Sequence, residues 1–327
     1  MTRPASALRF RRFKPLLGVV LIALATSICQ AQLSVSDGLA LWLKADKGVT
    51  ADGAGKVTVW ADQSPNGNNA AERLDGTADE LPLLVPNDVN SQPAVRFDGV
   101  SNVLEIANSY TLQPLDGDWT VIFVAKRLQN SVGDFPQIIG CRPWTAPADD
   151  GWAVAYSGAG LVGSHLADGT AGHDLDVTRS ASPLSQANFE MWQVEENRGG
   201  GTTSFYRNGD LDAILTPAMP TATVAPVDSV YIGRDIGGAN NRRANMDLAE
   251  VIIYNRVLSK TEREAVTTYL SDKYGLGYVP NVPPTASISS PANGASFNVP
   301  ATFTLSVDAA DTDGSVKKVD FYAGSSL

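Results

Sequence analysis

The sequence predicts an all-β sandwich of two antiparallel sheets, and three observations support this class. Ten apolar segments of four to eight residues recur between residues 39 and 254, and they are rich in Val, Ile, Phe, Tyr and Trp. Clusters of Gly, Asn, Asp and Pro separate these segments, as turns between strands require. Most connections are too short for the helical crossover that a parallel sheet needs.

The first 31 residues predict a Sec-type export signal. Five basic side chains precede an uncharged apolar stretch at 15–28, and a small residue follows at Ala31. This stretch is shorter than the roughly 20 residues that a membrane-spanning helix needs. We therefore expect a secreted or cell-surface protein with residues 1–31 as its signal peptide. Retention of this segment as an anchor is the alternative.

Charge excludes two classes of partner. Residues 1–31 carry five basic and no acidic side chains, so their removal changes the formal net charge from −10 to −15. An acidic chain repels nucleic acid and anionic membrane surfaces, so we expect neither as a partner and no membrane insertion of the mature domain. Cys141 is the one cysteine after residue 31. No disulfide can form within the mature chain, and stability must come from apolar packing.

A single amphipathic helix is expected at the end of the main domain. After an apolar strand at 248–254, Ser259 and Glu262 fit a capping box, and Gly275 fits a left-handed C-cap. An apolar stripe lies between these ends at helical spacing, formed by Val266, Tyr269, Leu270 and Tyr274. This pattern predicts a helix that packs against a sheet.

The chain is expected to hold two β domains. The main domain covers 32–278, a proline-rich linker covers 279–285, and a second β segment covers 286–327. The second segment alternates polar and apolar residues with period two, which is typical of a small exposed sandwich. It holds about three strands, fewer than the roughly seven of an immunoglobulin-type sandwich. We therefore expect it to be part of a domain in a longer, multi-domain protein.

Several stretches between residues 33 and 277 resemble a known family. They include "LALWLKADKGVT", "PAVRFDGVSNVLEI" and "LAEVIIYNRVLSKTEREAVTTYLSDKYGL". They resemble the laminin-G-like domains of the concanavalin A-like lectin/glucanase superfamily, in their bacterial extracellular form. The resemblance implies a jelly roll of two antiparallel sheets with one C-terminal helix. It also implies a non-catalytic module that binds glycans or proteins, often with structural calcium. Residues 284–327 resemble the first half of a bacterial immunoglobulin-like repeat.

The glutamates of 189–197, "FEMWQVEEN", do not match the catalytic pattern of relatives that hydrolyse β-glucans. Those relatives carry Glu-x-Asp-x-x-Glu on one strand, which places two carboxylates on one face about 5 Å apart. Here Glu190, Glu195 and Glu196 lack the intervening aspartate. We therefore expect no enzymatic activity. A role as the accessory domain of a glycoside hydrolase remains an alternative.

A turn at 60–70, "WADQSPNGNNA", predicts a structural calcium site. It concentrates Asp62, Asn66 and Asn68, whose oxygens are hard ligands of the kind that Ca²⁺ prefers. The family resemblance would bring Glu250 of the last strand to the same site. The alternative is that Asn and Gly form a tight turn without a metal.

A loop at 141–152, "CRPWTAPADDGW", together with nearby residues up to His165, predicts a glycan platform. Sugar binding requires an aromatic face and planar polar groups for the hydroxyls. The candidate ligand-binding residues are Arg142, Trp144, Asp149, Asp150, Trp152, Tyr156 and His165. A second polar loop at 234–243 is interpreted as solvated surface, with a place at the same rim as the alternative. We thus expect a polysaccharide or other glycan as the partner. An extracellular protein is the alternative partner, for an adhesion unit or structural spacer.

Overall fold

The computed structural model confirms the predicted sandwich. It describes residues 32–74, 76, 78–128, 135–142, 150–170, 178–226, 228–235 and 242–322. The predicted signal peptide lies outside these residues. Within them, two large antiparallel sheets face each other, one helix follows the last strand of the sandwich, and a small sheet lies near the C-terminus. The predicted limits of the domains remain predictions.

The first sheet has eight strands in the described part of the chain. They are β1 (Leu39–Lys44), β5 (Leu83–Val89), β6 (Gln92–Asp98), β8 (Trp119–Arg127), β13 (Glu190–Asn197), β14 (Thr202–Arg207), β15 (Asp210–Leu215) and β17 (Asn245–Tyr254). Their order is β15-β14-β13-β8-β17-β6-β5, and β1 also pairs with β17. Strand β17 therefore lies at the centre of this sheet and contacts three other strands.

The second sheet has nine strands in the described part. They are β2 (Val49–Ala51), β3 (Val57–Trp60), β4 (Ala70–Ala71), β7 (Leu104–Ile106), β9 (Gln137–Gly140), β10 (Asp150–Tyr156), β11 (Leu161–Asp168), β12 (Thr178–Pro183) and β16 (Val230–Ile232). Their order is β12-β11-β10-β9-β16-β7-β4-β3-β2. Two short 3-10 helices, Ala78–Glu80 and Tyr110–Leu112, lie in the connections between strands.

The inner faces of the two sheets form the main apolar core. Its largest fully buried side chains include Trp60, Trp152, Trp192, Phe97, Phe123 and Phe205. Burial of one such aromatic side chain contributes about 1.5–3 kcal/mol relative to exposure. Because strand residues alternate between faces, every second residue of a core strand points away from this core. Outward residues that no other element covers are available for binding.

Helix α1 (Lys260–Tyr274) covers the outer face of the eight-stranded sheet. The predicted capping box is present, since the Ser259 side chain accepts from the Glu262 backbone N–H. Gly275 closes the helix with φ 67°, in the left-handed region. A second apolar cluster joins the helix to the sheet through Ala94, Ile122, Val124, Ile252, Val266, Tyr269, Leu270 and Tyr274. The helix thus gives β17 a second buried face.

A buried carboxylate fastens the helix to this sheet. Glu250 of β17 is fully buried, and Nζ of Lys273 lies 2.7 Å from its Oε2. The Trp42 indole donates to Glu250 Oε1 at 2.6 Å. The hydroxyls of Tyr269 and Tyr274 donate to the same carboxylate, each at 2.8 Å. Burial first, and then the charge of Glu250, raise the pKa of both phenols, so each remains a donor.

The C-terminal segment carries a separate two-stranded antiparallel sheet. It consists of β18 (Thr285–Ser290) and β19 (Ser306–Ala310). Several large apolar side chains here are exposed, among them Ile288, Val299 and Phe303. In the residues that the structure describes, no helix combines the length and apolar character needed to cross a membrane.

Replacement of Lys273 by Met should destabilise the fold strongly. The change removes the cation from the buried Glu250 carboxylate, and loss of one partner of a buried ion pair costs about 3–5 kcal/mol. We expect a decrease of about 3 kcal/mol in the free energy of unfolding, measured by urea denaturation. Lys260→Met is the matched control, because Lys260 pairs with Glu264 on the exposed helix surface. It should cost about 0.5 kcal/mol or less. Equal effects of the two changes would contradict this role of Glu250.

Candidate functional site

The structure corrects the prediction for Trp152 and Tyr156. Both lie on β10 and point into the core between the sheets, where each is 0% exposed. The Trp152 indole donates to the carbonyl oxygen of Leu112 at 2.8 Å, and its ring meets Trp119 edge-on at 4.3 Å. The Tyr156 hydroxyl accepts from the Asn245 backbone N–H at 2.9 Å. Neither ring offers a face to a sugar, because strand alternation turns both inward.

Of the remaining predicted ligand residues, the structure describes Arg142, Asp150 and His165. Trp144 and Asp149 lie outside the described residues. Arg142 follows β9 and is 4% exposed. Asp150 begins β10; burial, and secondarily the charges of Asp168 and Asp228, raise its pKa against an opposing hydrogen bond from the Ala225 backbone.

His165 lies on a strand rather than on a loop. It is central in β11, opposite Ala153, and is fully buried on the outer face of the nine-stranded sheet. The Phe135 ring meets it edge-on at 5.3 Å, and the Arg179 guanidinium lies 4.6 Å from the same Phe135 ring. His165 is therefore a packed residue next to a cationic group and an aromatic ring.

The predicted calcium turn is held by its own hydrogen bonds. Asp62 accepts at 2.9, 2.8 and 2.9 Å from three backbone N–H groups, those of Trp42, Ser64 and Asn68. Asn66 and Asn68 donate their side-chain amides to the Ala40 carbonyl at 3.1 and 2.9 Å. These contacts attach the turn to β1. They are the interactions that a tight Asx-type turn makes.

Glu250 does not lie at this turn, which corrects the predicted ligand set. Both of its oxygens accept hydrogen bonds beneath helix α1. Trp42 links the two places, since its backbone N–H donates to Asp62 and its indole donates to Glu250. Within the described ranges, no group of three or more His, Cys, Asp or Glu residues is arranged to hold a metal ion. Calcium binding therefore stays a prediction.

The three glutamates of β13 occupy different environments. Glu190 forms an ion pair with Arg207 and also accepts from the Trp192 indole at 3.1 Å. Glu195 points to the other face and accepts from Arg263 at 3.1 Å. Glu196 points into the core like Glu190. These glutamates do not form the exposed pair of carboxylates, about 5 Å apart, that glycoside hydrolysis uses.

Glu196 is a buried acid that joins the two sheets. It is fully buried on β13, and Thr203 of β14 donates to its Oε2 at 2.7 Å. Burial raises the pKa of Glu196 to about 7, against hydrogen bonds from Ser164 and Thr203 and the charge of Arg198. Ser164 lies on β11, so Glu196 faces the opposite sheet across the core. No described residue hydrogen-bonds the buried Oε1 atom.

A continuous row of residues crosses the outer face of the nine-stranded sheet. Each member is the register partner of the next, and the row consists of Val59, Ala71, Glu105, Tyr231, Gly140, Ala153 and His165. Their strand neighbours, such as Val230 and Ile232 beside Tyr231, belong to the core. Adjacent strands lie about 4.8 Å apart, so the row spans roughly 29 Å.

The centre of this row combines an aromatic ring, a carboxylate and a position without a side chain. Tyr231 and Glu105 are directly opposite each other on β16 and β7, and both are half-buried. Gly140 follows on the other side of Tyr231. A Cβ at position 140 would lie 2.5 Å from the Trp152 carbonyl oxygen, so glycine is required there. The alternation in "SVYIG" already indicates an outward Tyr231, but the row itself depends on register between distant strands.

The second predicted polar loop lies away from Arg142 and Asp150. Strand β16 runs antiparallel to β9, with Tyr231 opposite Gly140 and Ile232 opposite Ile139. Arg142 therefore lies near the beginning of β16, whereas Arg234 lies beyond its end. The described residues Arg142 and Arg234, one from each predicted loop, thus lie at opposite ends of β16 rather than at one rim.

Comparison with known families agrees with this architecture. A model of the concanavalin A-like lectin/glucanases superfamily, of laminin-G type, matches residues 97–262, just over half of the chain. The chain belongs to this superfamily. The match covers the strands from the end of β6 to the first turn of α1. A model of a bacterial Ig domain matches residues 284–327, as the sequence resemblance implied. No curated protein sequence matches the chain.

Solved structures resemble this chain at low sequence identity. The binding domain of Paraclostridial Mosquitocidal Protein 1 is 15% identical, with a TM-score of 0.52 over 72% of this chain and 52% of that one. The botulinum neurotoxin serotype G binding domain is 15% identical, with a TM-score of 0.49 over 71% and 51%. A Trypanosoma rangeli sialidase in complex with sialic acid is 16% identical, with a TM-score of 0.48 over 74% of this chain and 34% of that one. The chain thus spans about half of each toxin domain and a third of the sialidase, and the likeness concerns the fold.

Removal of the Glu196 carboxylate should change the pH dependence of stability. The unfolded state releases this proton near pH 4.5, whereas the folded state holds it to about pH 7. Because the folded state binds the extra proton, stability falls as pH rises through this window. The unchanged protein should lose on the order of 3 kcal/mol of unfolding free energy between pH 4.5 and 8. Glu196→Gln should abolish this loss. Urea unfolding of both proteins at several pH values measures the difference.

Glu72→Gln provides the control for this experiment, because Glu72 is exposed. Its stability should follow that of the unchanged protein at every pH. A Glu196→Gln variant with the same pH profile as the unchanged protein would show that Glu196 ionises normally in the fold.

Proposed function

We propose that the protein is an exported, non-catalytic recognition module that binds carbohydrate on the outer face of its nine-stranded sheet. The observation that carries this proposal is the row through Glu105, Tyr231 and Gly140. Sugar sites combine an apolar or aromatic surface with a few oriented polar groups. Tyr231 supplies the ring, and Glu105 supplies acceptors for hydroxyl groups.

The length and shape of the row favour an extended ligand. Four of its members, Val59, Ala71, Glu105 and Tyr231, are half-buried and lie side by side across four strands. Their side chains lie on one face of the sheet at the regular spacing of neighbouring strands. A polysaccharide has repeating units and can contact several such positions at once. Beyond Gly140, the row continues into buried Ala153 and His165, which limits the accessible part to one side.

The placement of the β13 glutamates supports a non-catalytic role. Glu190 and Glu195 are engaged with Arg207 and Arg263, and Glu196 points into the core. A retaining hydrolase needs one carboxylate as nucleophile and a second as acid/base at the same exposed site. Release of reducing sugar from β-glucans by the purified protein would contradict this part of the proposal.

Export and calcium binding are parts of the same proposal. The basic and apolar segment 1–31 supports export to the cell surface or medium. The oxygens of Asp62, Asn66 and Asn68 support a structural Ca²⁺ site at the turn, although Asp62 already accepts several hydrogen bonds. Binding to an extracellular protein, as an adhesion module, is the alternative outcome of the ligand tests.

The Tyr231→Ala variant tests the glycan platform. A glycan array with the mature chain identifies ligands, and titration calorimetry then compares variants. We expect Tyr231→Ala to weaken binding about tenfold or more, since loss of a stacking ring costs about 1.4 kcal/mol. Tyr110→Ala is the matched control, because Tyr110 is 72% exposed and lies outside the row. It should leave affinity unchanged.

Two outcomes would overturn the platform. If Trp144→Ala abolishes binding while Tyr231→Ala does not, the loop at 141–149 holds the ligand instead. If the mature chain binds no glycan on the array, the module serves as a spacer or binds protein.

Addition of EDTA tests the calcium site. We expect EDTA to lower the Tm of the mature chain by several degrees and excess Ca²⁺ to restore it, because a bound ion stabilises the folded state. An Asp62→Asn variant should lose this response. A Tm that is the same with EDTA and with Ca²⁺ would show that the turn binds no calcium.

A further inference from the structure

Three arginines approach one another where the chain leaves β16. Arg234 follows this strand, and its side chain is 10% exposed. Arg73 comes from the segment after β4, and its Nη2 lies 3.8 Å from Glu80 Oε2. Arg243 comes from the segment before β17 and donates to the carbonyl oxygen of Val100. Elements distant in sequence thus bring three positive charges to one end of the sheet.

Arg234 has few protein partners for its donors. Its Nε donates to the carbonyl oxygen of Asp235 at 3.3 Å. Its Nη1 lies 3.9 Å from Glu80 Oε1, which is beyond hydrogen-bond distance. Within the described ranges, neither Nη atom makes a hydrogen bond to another residue. A guanidinium carries five N–H donors, so Arg234 retains donors that the oxygens of a ligand could accept.

The electrostatic surroundings favour an added negative charge. Burial lowers the pKa of Arg234, and the charges of Arg73 and Arg243 lower it further. Glu80 and Asp235 oppose this effect. Glu80 is shared between Arg73 and Arg234 at 3.8 and 3.9 Å. Its carboxylate therefore lies near both guanidinium groups but within hydrogen-bond distance of neither.

We infer that Arg234, with Arg73 and Arg243, binds one anionic group of a glycan, either a carboxylate or a sulfate ester. The flat fork of a guanidinium matches both oxyanions with two parallel hydrogen bonds. The inference rests on the proposed function, because Arg234 lies three residues beyond Tyr231, about 10 Å along the chain. In a chain of formal net charge −10, such selectivity must come from a local site.

Titration calorimetry at low ionic strength tests this specificity. The probes are polygalacturonate for carboxylate, dextran sulfate for sulfate ester and dextran as the neutral polymer. We expect Arg234→Gln to weaken binding of one or both charged polymers at least tenfold and to leave any dextran binding unchanged. Lys260→Gln is the charge-matched control, because it removes one positive charge from the exposed start of helix α1. It should bind like the unchanged protein. The polymer that responds identifies the anionic group.

Thermal unfolding with inorganic sulfate separates the anion site from glycan binding. Sulfate should raise the Tm of the mature chain more than that of Arg234→Gln or Arg243→Gln, at equal ionic strength. If this difference appears but no polysaccharide binds, the anion site stands and the proposed function fails. If charged polymers bind equally to the unchanged protein and both arginine variants, the anion site is wrong and the proposed function survives. Should Arg234→Gln fail to fold, Arg243→Gln decides, because Arg243 is half-buried.

Discussion

Strand β17 is buried on both faces, and this constraint organises the rest of the structure. One face packs against the inner core, and the other lies under helix α1. The strand also pairs with β1, β6 and β8. Its two acidic residues therefore have no access to bulk water and require partners within the protein. Asp247 is held by Arg96 at 2.6 Å and Lys126 at 3.3 Å, and Glu250 is held by Lys273 at 2.7 Å.

Asp247 and Glu250 differ from Glu196 and Arg234, whose hydrogen-bonding atoms are not all paired within the described residues. Glu250 accepts four hydrogen bonds, so its geometry explains a structural role beneath the helix. Glu196 and Arg234 are comparably buried but are less completely paired. Protonation removes the charge of Glu196 and so lowers the free-energy cost of its burial, whereas an arginine keeps its charge. This difference in chemistry is why Arg234, rather than Glu196, suggests a ligand.

The sequence was most informative about secondary structure and least informative about exposure. The capping box of Ser259 and Glu262, the glycine C-cap and the strand series were all predicted, since they depend on local residue order. Trp152 and Tyr156 were assigned to the glycan platform because they adjoin the loop at 141–152, although residues 152–157 were also among the predicted strands. In the structure they belong to a strand whose inward positions are aromatic. His165 was predicted to lie in a loop, but it lies on β11. Glu250 was placed at the turn by family resemblance, whereas its contacts lie under the helix.

The amino-acid sequence by itself determined the fold class, the single helix and the separation of a second β segment. Alternation, caps and turn residues act over a few neighbouring positions, so they can be read without the tertiary structure. The row through Glu105, Tyr231 and Gly140 and the approach of Arg73, Arg234 and Arg243 were decided only by the tertiary structure. Most of their members are separated by tens to more than a hundred positions, whereas Arg234 and Arg243 are nine positions apart. Strand register, which no local pattern specifies, brings the row to one surface, and the packing of the segments beside β4, β16 and β17 brings the arginines together.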